Sequence, residues 1–165
     1  MIQTLRLIKK KFSRTFFDMK YKNIFKGEEF DVRFRCDNAE NFHFGKSCYI
    51  GPACHFDALG GIYLDDYVII GPHVCIWSYN HDFKHEMIPY GPDNDLRPVK
   101  IGKGAWIGLR TIILPGSEIG EGSVVGAGSI VGGKIPPFSL VRPNRSDHSP
   151  LTILKNNNLY YRGKN

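Results

Sequence analysis

The stretch Ile101-Gly-Lys-Gly-Ala-Trp-Ile107-Gly-Leu-Arg-Thr-Ile-Ile113-Leu-Pro-Gly-Ser-Glu-Ile119-Gly-Glu-Gly-Ser-Val-Val125-Gly-Ala-Gly-Ser-Ile-Val131 decides the fold, because an aliphatic residue returns at every sixth position without a slip. Four places after each sits a mostly small residue, Ala105, Thr111, Ser117, Ser123 and Ser129, then Ile135. Glycine directly follows the aliphatic residue at Gly102, Gly108, Gly120, Gly126 and Gly132. A helical stripe recurs at three to four residues and a lone strand at two, so a period of six fits neither. It is the repeat of a parallel β-helix.

In such a fold each hexad makes one short strand and one corner, and three hexads close a triangular coil of about 18 residues. Ile101 is then expected to stack on Ile119, Ile107 on Val125 and Ile113 on Val131, with coils about 4.8 Å apart as paired strands must be. The glycine beside each aliphatic residue suits a corner with unusual backbone angles. The small residues four places on suit tight turning.

Upstream, the period appears at Phe44, Ile50, Phe56 and Ile62, then shifts by two to Leu64, Ile70 and Ile76. Gly60-Gly61-Ile62-Tyr63 must therefore hold a small corner insertion. From Trp77 to Pro98 the repeat breaks altogether, and an excursion this long from a compact coil is usually functional. It carries His81 and His85, several acids and four aromatics.

The chain resembles the hexapeptide-repeat acyltransferases, most closely the sugar O-acetyltransferases acting on galactosides, maltose and capsular polysaccharide. The likeness covers about residues 44–145. It rests on the repeat, on Val99-Lys-Ile-Gly-Lys-Gly-Ala-Trp-Ile-Gly108 and on Val125-Gly-Ala-Gly-Ser-Ile-Val131. It implies an all-β protein, a left-handed parallel β-helix with an N-terminal helical extension and a protruding loop. The left hand comes from the resemblance alone, since parallel crossovers are otherwise nearly always right-handed.

The resemblance also implies chemistry. Acetyl transfer from acetyl-CoA to a sugar hydroxyl needs a base for the hydroxyl proton, and a histidine titrating near neutrality suits that work. His81, in Ser78-Tyr-Asn-His-Asp-Phe83, falls where the resembling enzymes carry their catalytic histidine. Asp57 falls where they often carry a substrate-facing asparagine, and it is expected to orient either His81 or a sugar hydroxyl; an exposed corner acid is the other reading. Tyr79, Asn80 and Trp106 are expected at the acceptor. Gly108, Gly126 and Ala127 match the segment lining the pantetheine arm, although coil geometry alone accounts for their size. The family's terminal Gly-Asn-Pro-Ala-Lys type segment is altered here to Val141-Arg-Pro-Asn-Arg145, where Pro143 and Arg145 are assigned to adenine and phosphate. Lys134 stands near the coil exit, displaced from the family's usual lysine. No metal is expected.

Two other classes were weighed. Gamma-class carbonic anhydrases share the fold and bind zinc through three histidines. His55, His73, His85 and His148 do not reproduce that spacing. A non-catalytic structural β-helix is the second.

With 165 residues, 42% of them hydrophobic, the chain suits one domain. Its expected parts are an amphipathic segment over 1–20, a lead-in strand or irregular first coil over 21–43, the β-helix over 44–137 interrupted at 77–98, and a C-terminal extension over 138–165, of which 151–165 reads as a polar tail with a short helix at most. A formal charge of +6 fits a phosphate-bearing co-substrate better than nucleic acid. Cys36, Cys48, Cys54 and Cys75 lack metal or redox spacing and read as reduced thiols, placing the protein in the cytoplasm. In residues 1–17, Leu5, Ile8, Phe12 and Phe16 recur at helical spacing beside Lys9, Lys10, Lys11 and Arg14. Such a helix either lies on the anionic inner face of a membrane or packs on its own β-helix or a partner subunit. The flat flanks of a thin solenoid need partners, and a homotrimer is expected.

Overall fold

The computed structural model describes residues 34–82, 84, 86 and 91–143, and the backbone of 152–155. The helix expected over residues 1–17 lies outside this set, as do His85, Arg145 and His148.

Short parallel strands form three sheets, the three faces of a prism. The first face comprises Arg35–Asp37, His55–Asp57, Cys75–Trp77, Ile112–Ile113 and Ile130–Val131. The second comprises Phe42–Phe44, Ile62–Leu64, Val99–Ile101, Glu118–Ile119 and Lys134–Ile135. The third comprises Tyr49–Ile50, Ile69–Ile70, Trp106–Ile107, Val124–Val125 and Ser139–Arg142, with Thr152–Lys155 added antiparallel at its edge. The expected stacking is present: Ile101 pairs with Ile119, Ile107 with Val125 and Ile113 with Val131. This is the left-handed β-helix architecture that the repeat and the resemblance implied.

Three inward columns make one continuous core. Phe56, Ile76, Ile113 and Val131 line the first face, Leu64, Ile101, Ile119 and Ile135 the second, and Ile50, Ile70, Ile107, Val125 and Val141 the third. At the N-terminal end aromatic rings replace aliphatic groups, with Phe34 and Phe42 each 5.6 Å from Phe56 between centroids. Arg35–Asp37 pairs with His55–Asp57, so the first coil begins within the stretch read as lead-in strand or irregular first coil. The last rung lies beyond Pro136-Pro137, where the coil was expected to end, because Ser139–Arg142 still pairs with Val124–Val125. The tail expected to hold a short helix at most forms a strand, Thr152–Lys155.

The glycines after the aliphatic residues serve a different purpose from the one expected. The left-handed corner angles fall two residues later, as at Gly128, φ 75°. Gly108 instead lies against the next coil, where an added Cβ would stand 2.6 Å from the Ala127 nitrogen. The small residues four places on are buried, and their hydroxyls tie corners together: Ser117 Oγ donates to the Leu114 carbonyl and Ser129 Oγ to that of Gly126, both at 2.6 Å.

Length variation is confined to one corner. From face three to face one, and from face two to face three, successive core residues are six apart throughout, as in Phe44 to Ile50 to Phe56. From face one to face two the steps run Cys36 to Phe44, Phe56 to Leu64, Ile76 to Ile101, Ile113 to Ile119 and Val131 to Ile135. The anticipated insertion at Gly60-Gly61 and the long excursion thus share an edge of the prism.

Gly108→Ala should destabilise the protein more than Gly128→Ala in thermal denaturation. The first forces a methyl into neighbouring backbone, whereas a Cβ at Gly128 meets nothing within 4 Å and costs only the left-handed conformation, about 1 kcal/mol. The reverse order would show that corner dihedrals, not clearance between coils, limit this fold.

Candidate active site

The first-to-second corner gathers polar side chains that the six-residue period does not specify. Asp37, Asp57 and Trp77 share one register position on successive strands of the first face. Arg35 grips both Asp37 oxygens, Nε to Oδ1 at 3.1 Å and Nη2 to Oδ2 at 2.8 Å. That guanidinium holds the Asp37 carboxyl below the usual carboxylate range, with His55 Nε2, 3.1 Å from Oδ2, acting in the same direction. The His55 ring in turn meets the edge of Trp77, centroids 4.9 Å apart.

Asp57 is buried at this corner. Asn38 Nδ2 donates to its Oδ1 at 2.8 Å and the Leu59 backbone N–H to the same oxygen at 3.3 Å. Its backbone carbonyl accepts from Ser78 twice, from Oγ at 2.8 Å and from N at 3.2 Å. Ser78 Oγ accepts from the Gly60 N–H at 2.9 Å, and the Ser78 carbonyl accepts from the Arg97 N–H, also at 2.9 Å. A side chain at Gly60 would fall on that Ser78 carbonyl. Ser78 is therefore the fastening point of the excursion.

From this point the chain rises as an antiparallel hairpin, Tyr79–His81 against Asn94–Leu96. His81 is opposite Asn94, Asn80 opposite Asp95 and Tyr79 opposite Leu96. His81 is exposed, and its ring stands edge-on to Tyr79 with centroids 6.3 Å apart. Arg97 Nη2 lies 2.6 Å from Asp95 Oδ2, which lowers the pKa of that exposed carboxyl.

The sequence-predicted residues fall into two groups. His81, Asn80, Tyr79 and Asp57 share the first-to-second corner. Gly108, Gly126, Ala127 and Pro143 share the third-to-first corner, where an added Cβ on Gly126 would come 3.3 Å from Pro143 Cδ. Trp106 is exposed on the adjoining third face, between Ile69 and Val124. Lys134 is on the second face, 3.1 Å from Glu118, apart from both groups. The width of the first face separates the two corners. Among the described residues no three His, Cys, Asp or Glu side chains form a metal-holding group, and none of the four cysteines is in a disulfide.

Sequence reasoning passed over Ser78, Gly60, Asn38 and the Arg35–Asp37–His55 set. The available signal was coil spacing: Asn38 and Asp57, or Asp37 and His55, lie one 18–19-residue turn apart. The irregular register of the first coils hid it.

Comparison with known proteins agrees with this architecture. Residues 98–133 match the bacterial transferase hexapeptide model of six repeats. A Schizosaccharomyces pombe protein named as an acetyltransferase is 38% identical over 105 residues, 64% of this chain and 50% of the relative, so the chain spans half of its length. A galactoside acetyltransferase solved with coenzyme A superposes with a TM-score of 0.66 at 29% identity, over 74% of this chain and 58% of the other. A maltose O-acetyltransferase from Clostridium difficile 630 gives 0.63 at 25% identity, over 92% and 88%. No helix among the described residues is long and apolar enough to cross a membrane. The repeat and the three-dimensional likeness agree: residues 98–133 match the bacterial transferase hexapeptide model, and the chain is similar in fold to hexapeptide-repeat acetyltransferases.

Proposed function

We propose that the chain transfers an acetyl group from acetyl-CoA to a carbohydrate hydroxyl, with His81 as general base, as part of polysaccharide or glycan synthesis. The observation that carries this reading is a histidine raised on a hairpin that is fastened by main-chain bonds at Ser78 to the corner holding Asp57. The names of similar structures, a galactoside acetyltransferase with coenzyme A and a maltose O-acetyltransferase, support the donor and the acceptor class.

In the proposed step the acceptor O–H gives its proton to the neutral imidazole as the oxygen attacks the thioester carbonyl. The tetrahedral oxyanion, held by a backbone N–H, collapses and expels the coenzyme A thiolate, which takes the proton back from the imidazolium. No acyl-enzyme forms. Asp57, held through Oδ1 by Asn38 and Leu59 N, orients the acceptor or His81 from the base of the corner.

The donor ridge and His81 lie at opposite edges of the first face. Proton transfer needs hydrogen-bond reach, so the working site joins the donor corner of one copy to the His81 corner of another. The outward residues fit a closed ring of three in which unlike faces meet. The first face exposes Ile112, Leu114 and Ile130, and the third exposes Tyr49, Ile69 and Trp106. Cytoplasmic location, with residues 1–17 touching the inner membrane face, remains part of this reading.

His81→Ala should lower kcat by about 10²–10⁴ with coenzyme A affinity preserved, and Asp57→Asn should cost less, as measured by acetyl-CoA turnover with a panel of sugars. Parent-like turnover in His81→Ala would move the base elsewhere. Ile130→Glu should lower the mass seen by light scattering from trimer to monomer and abolish turnover with it; an active monomer would refute the shared site.

A further inference from the structure

The outward side of the second face differs from the other two. Its column runs His43, Tyr63, Lys100, Glu118, Lys134, with charge where the other faces carry apolar groups. Faces one and three are suited to meeting other copies; this one is suited to water. Along it lies an open groove of about 750 Å³, lined by Tyr63, Asp65, Lys100, Glu118, Lys134 and the Pro136-Pro137 rim. Four successive rungs, Tyr63 to Lys134, span about 14 Å at the spacing of paired strands.

The aromatic end of the groove is built rather than incidental. His43 stacks on one face of the Tyr63 ring, centroids 4.9 Å apart and planes 15° from parallel. Gly61 lies under the same ring: a Cβ there would be 2.9 Å from Tyr63 Cε2, so glycine is the residue that leaves the ring in place. The ring is nonetheless 43% exposed. A fixed aromatic plate followed by alternating amine and carboxylate groups matches a sugar chain, which offers an apolar ring face and equatorial hydroxyls. Two lysines balance Asp65 and Glu118, so the lining carries no net charge and favours an uncharged chain. The strand Val99–Ile101 that contributes Lys100 directly follows the return strand Asn94–Leu96 of the His81 hairpin, so the groove lies on the face that the hairpin's return leads into.

We propose that the second face is a binding groove for an uncharged oligosaccharide, which holds the chain of an extended acceptor with one end directed toward the His81 hairpin. The inference rests on the carbohydrate reading of the active site and narrows it from sugars in general to glycan chains. Tyr63 supplies the stacking plate, and Lys100 with the Glu118–Lys134 pair supplies hydrogen bonds to hydroxyls.

The test is an NMR titration of the intact protein with maltohexaose, cellopentaose and laminarihexaose, with glucose as the single-ring control. At least one chain should bind more tightly than glucose. Tyr63→Ala and Lys100→Ala should each weaken that binding roughly tenfold, while Tyr63→Phe, which keeps the plate, retains most of it. His81→Ala should leave chain binding intact. Binding of none of the three chains, or undiminished binding in Tyr63→Ala, overturns the groove. So does a fall in oligomer mass on Tyr63→Ala, which would make this face a subunit contact. If chains bind through Tyr63 but no sugar is ever acetylated, the groove stands and the catalytic reading falls; if glucose is acetylated but no chain binds, the reverse holds.

Discussion

Backbone hydrogen bonds between successive coils set the clearance on which the rest of this molecule depends. Every face is a ladder, as in Ile69 N–H to the Ala105 carbonyl and Trp106 N–H to that of Ser123, both at 2.9 Å. At such separations an inward side chain can fill only its own layer, so the core is a stack of thin slices and not a single mass. At the first corner position of a coil, as at Gly108, the next coil's backbone leaves no room for a side chain. Glycines following the aliphatic residues, such as Gly108, answer that restriction, and the buried serine hydroxyls add a second hydrogen bond to corner carbonyls that the serine N–H already reaches.

Within that frame two corners hold their period without exception and the third absorbs every departure. Bulges are rare in parallel ladders, so an added residue is accommodated most readily at a corner, where strand pairing is already broken. Placing all departures on one edge keeps two corners uniform for packing and gathers the polar side chains of the candidate site at the third. Asp57, Ser78, Asn38 and the hairpin with His81 are all there.

The repeat from Ile101 to Val131 made the fold, the register and the core columns legible, because stacking demands the same residue type at the same place in each coil. Legibility failed where that demand lapses. Val131 to Ile135 is a step of four that still delivers Ile135 into its column, so the pattern looked finished one rung before it was. The glycine rule was read as a matter of dihedrals when it is one of interlayer distance, which no single coil's sequence reveals. At the candidate site, His81 was visible through its motif. The bonds that fasten its hairpin run largely through main-chain groups of Ser78, Gly60 and Arg97, and main-chain partners leave little trace in residue identity.

The fastening at Ser78 also bears on how freely the excursion can vary. The Gly60 and Arg97 contacts bring both ends of the excursion to one point on the prism, so the entropy of closing the loop rises only slowly with its length. Among the described residues the excursion's two strands pair only with each other, outside the three faces of the prism. The excursion is a graft on a rigid stem, and its sequence and length can drift while the scaffold keeps folding by the same ladder. Under the proposed function, new acceptor preferences would be open to this chain through exchange of one segment, without any renegotiation of its core.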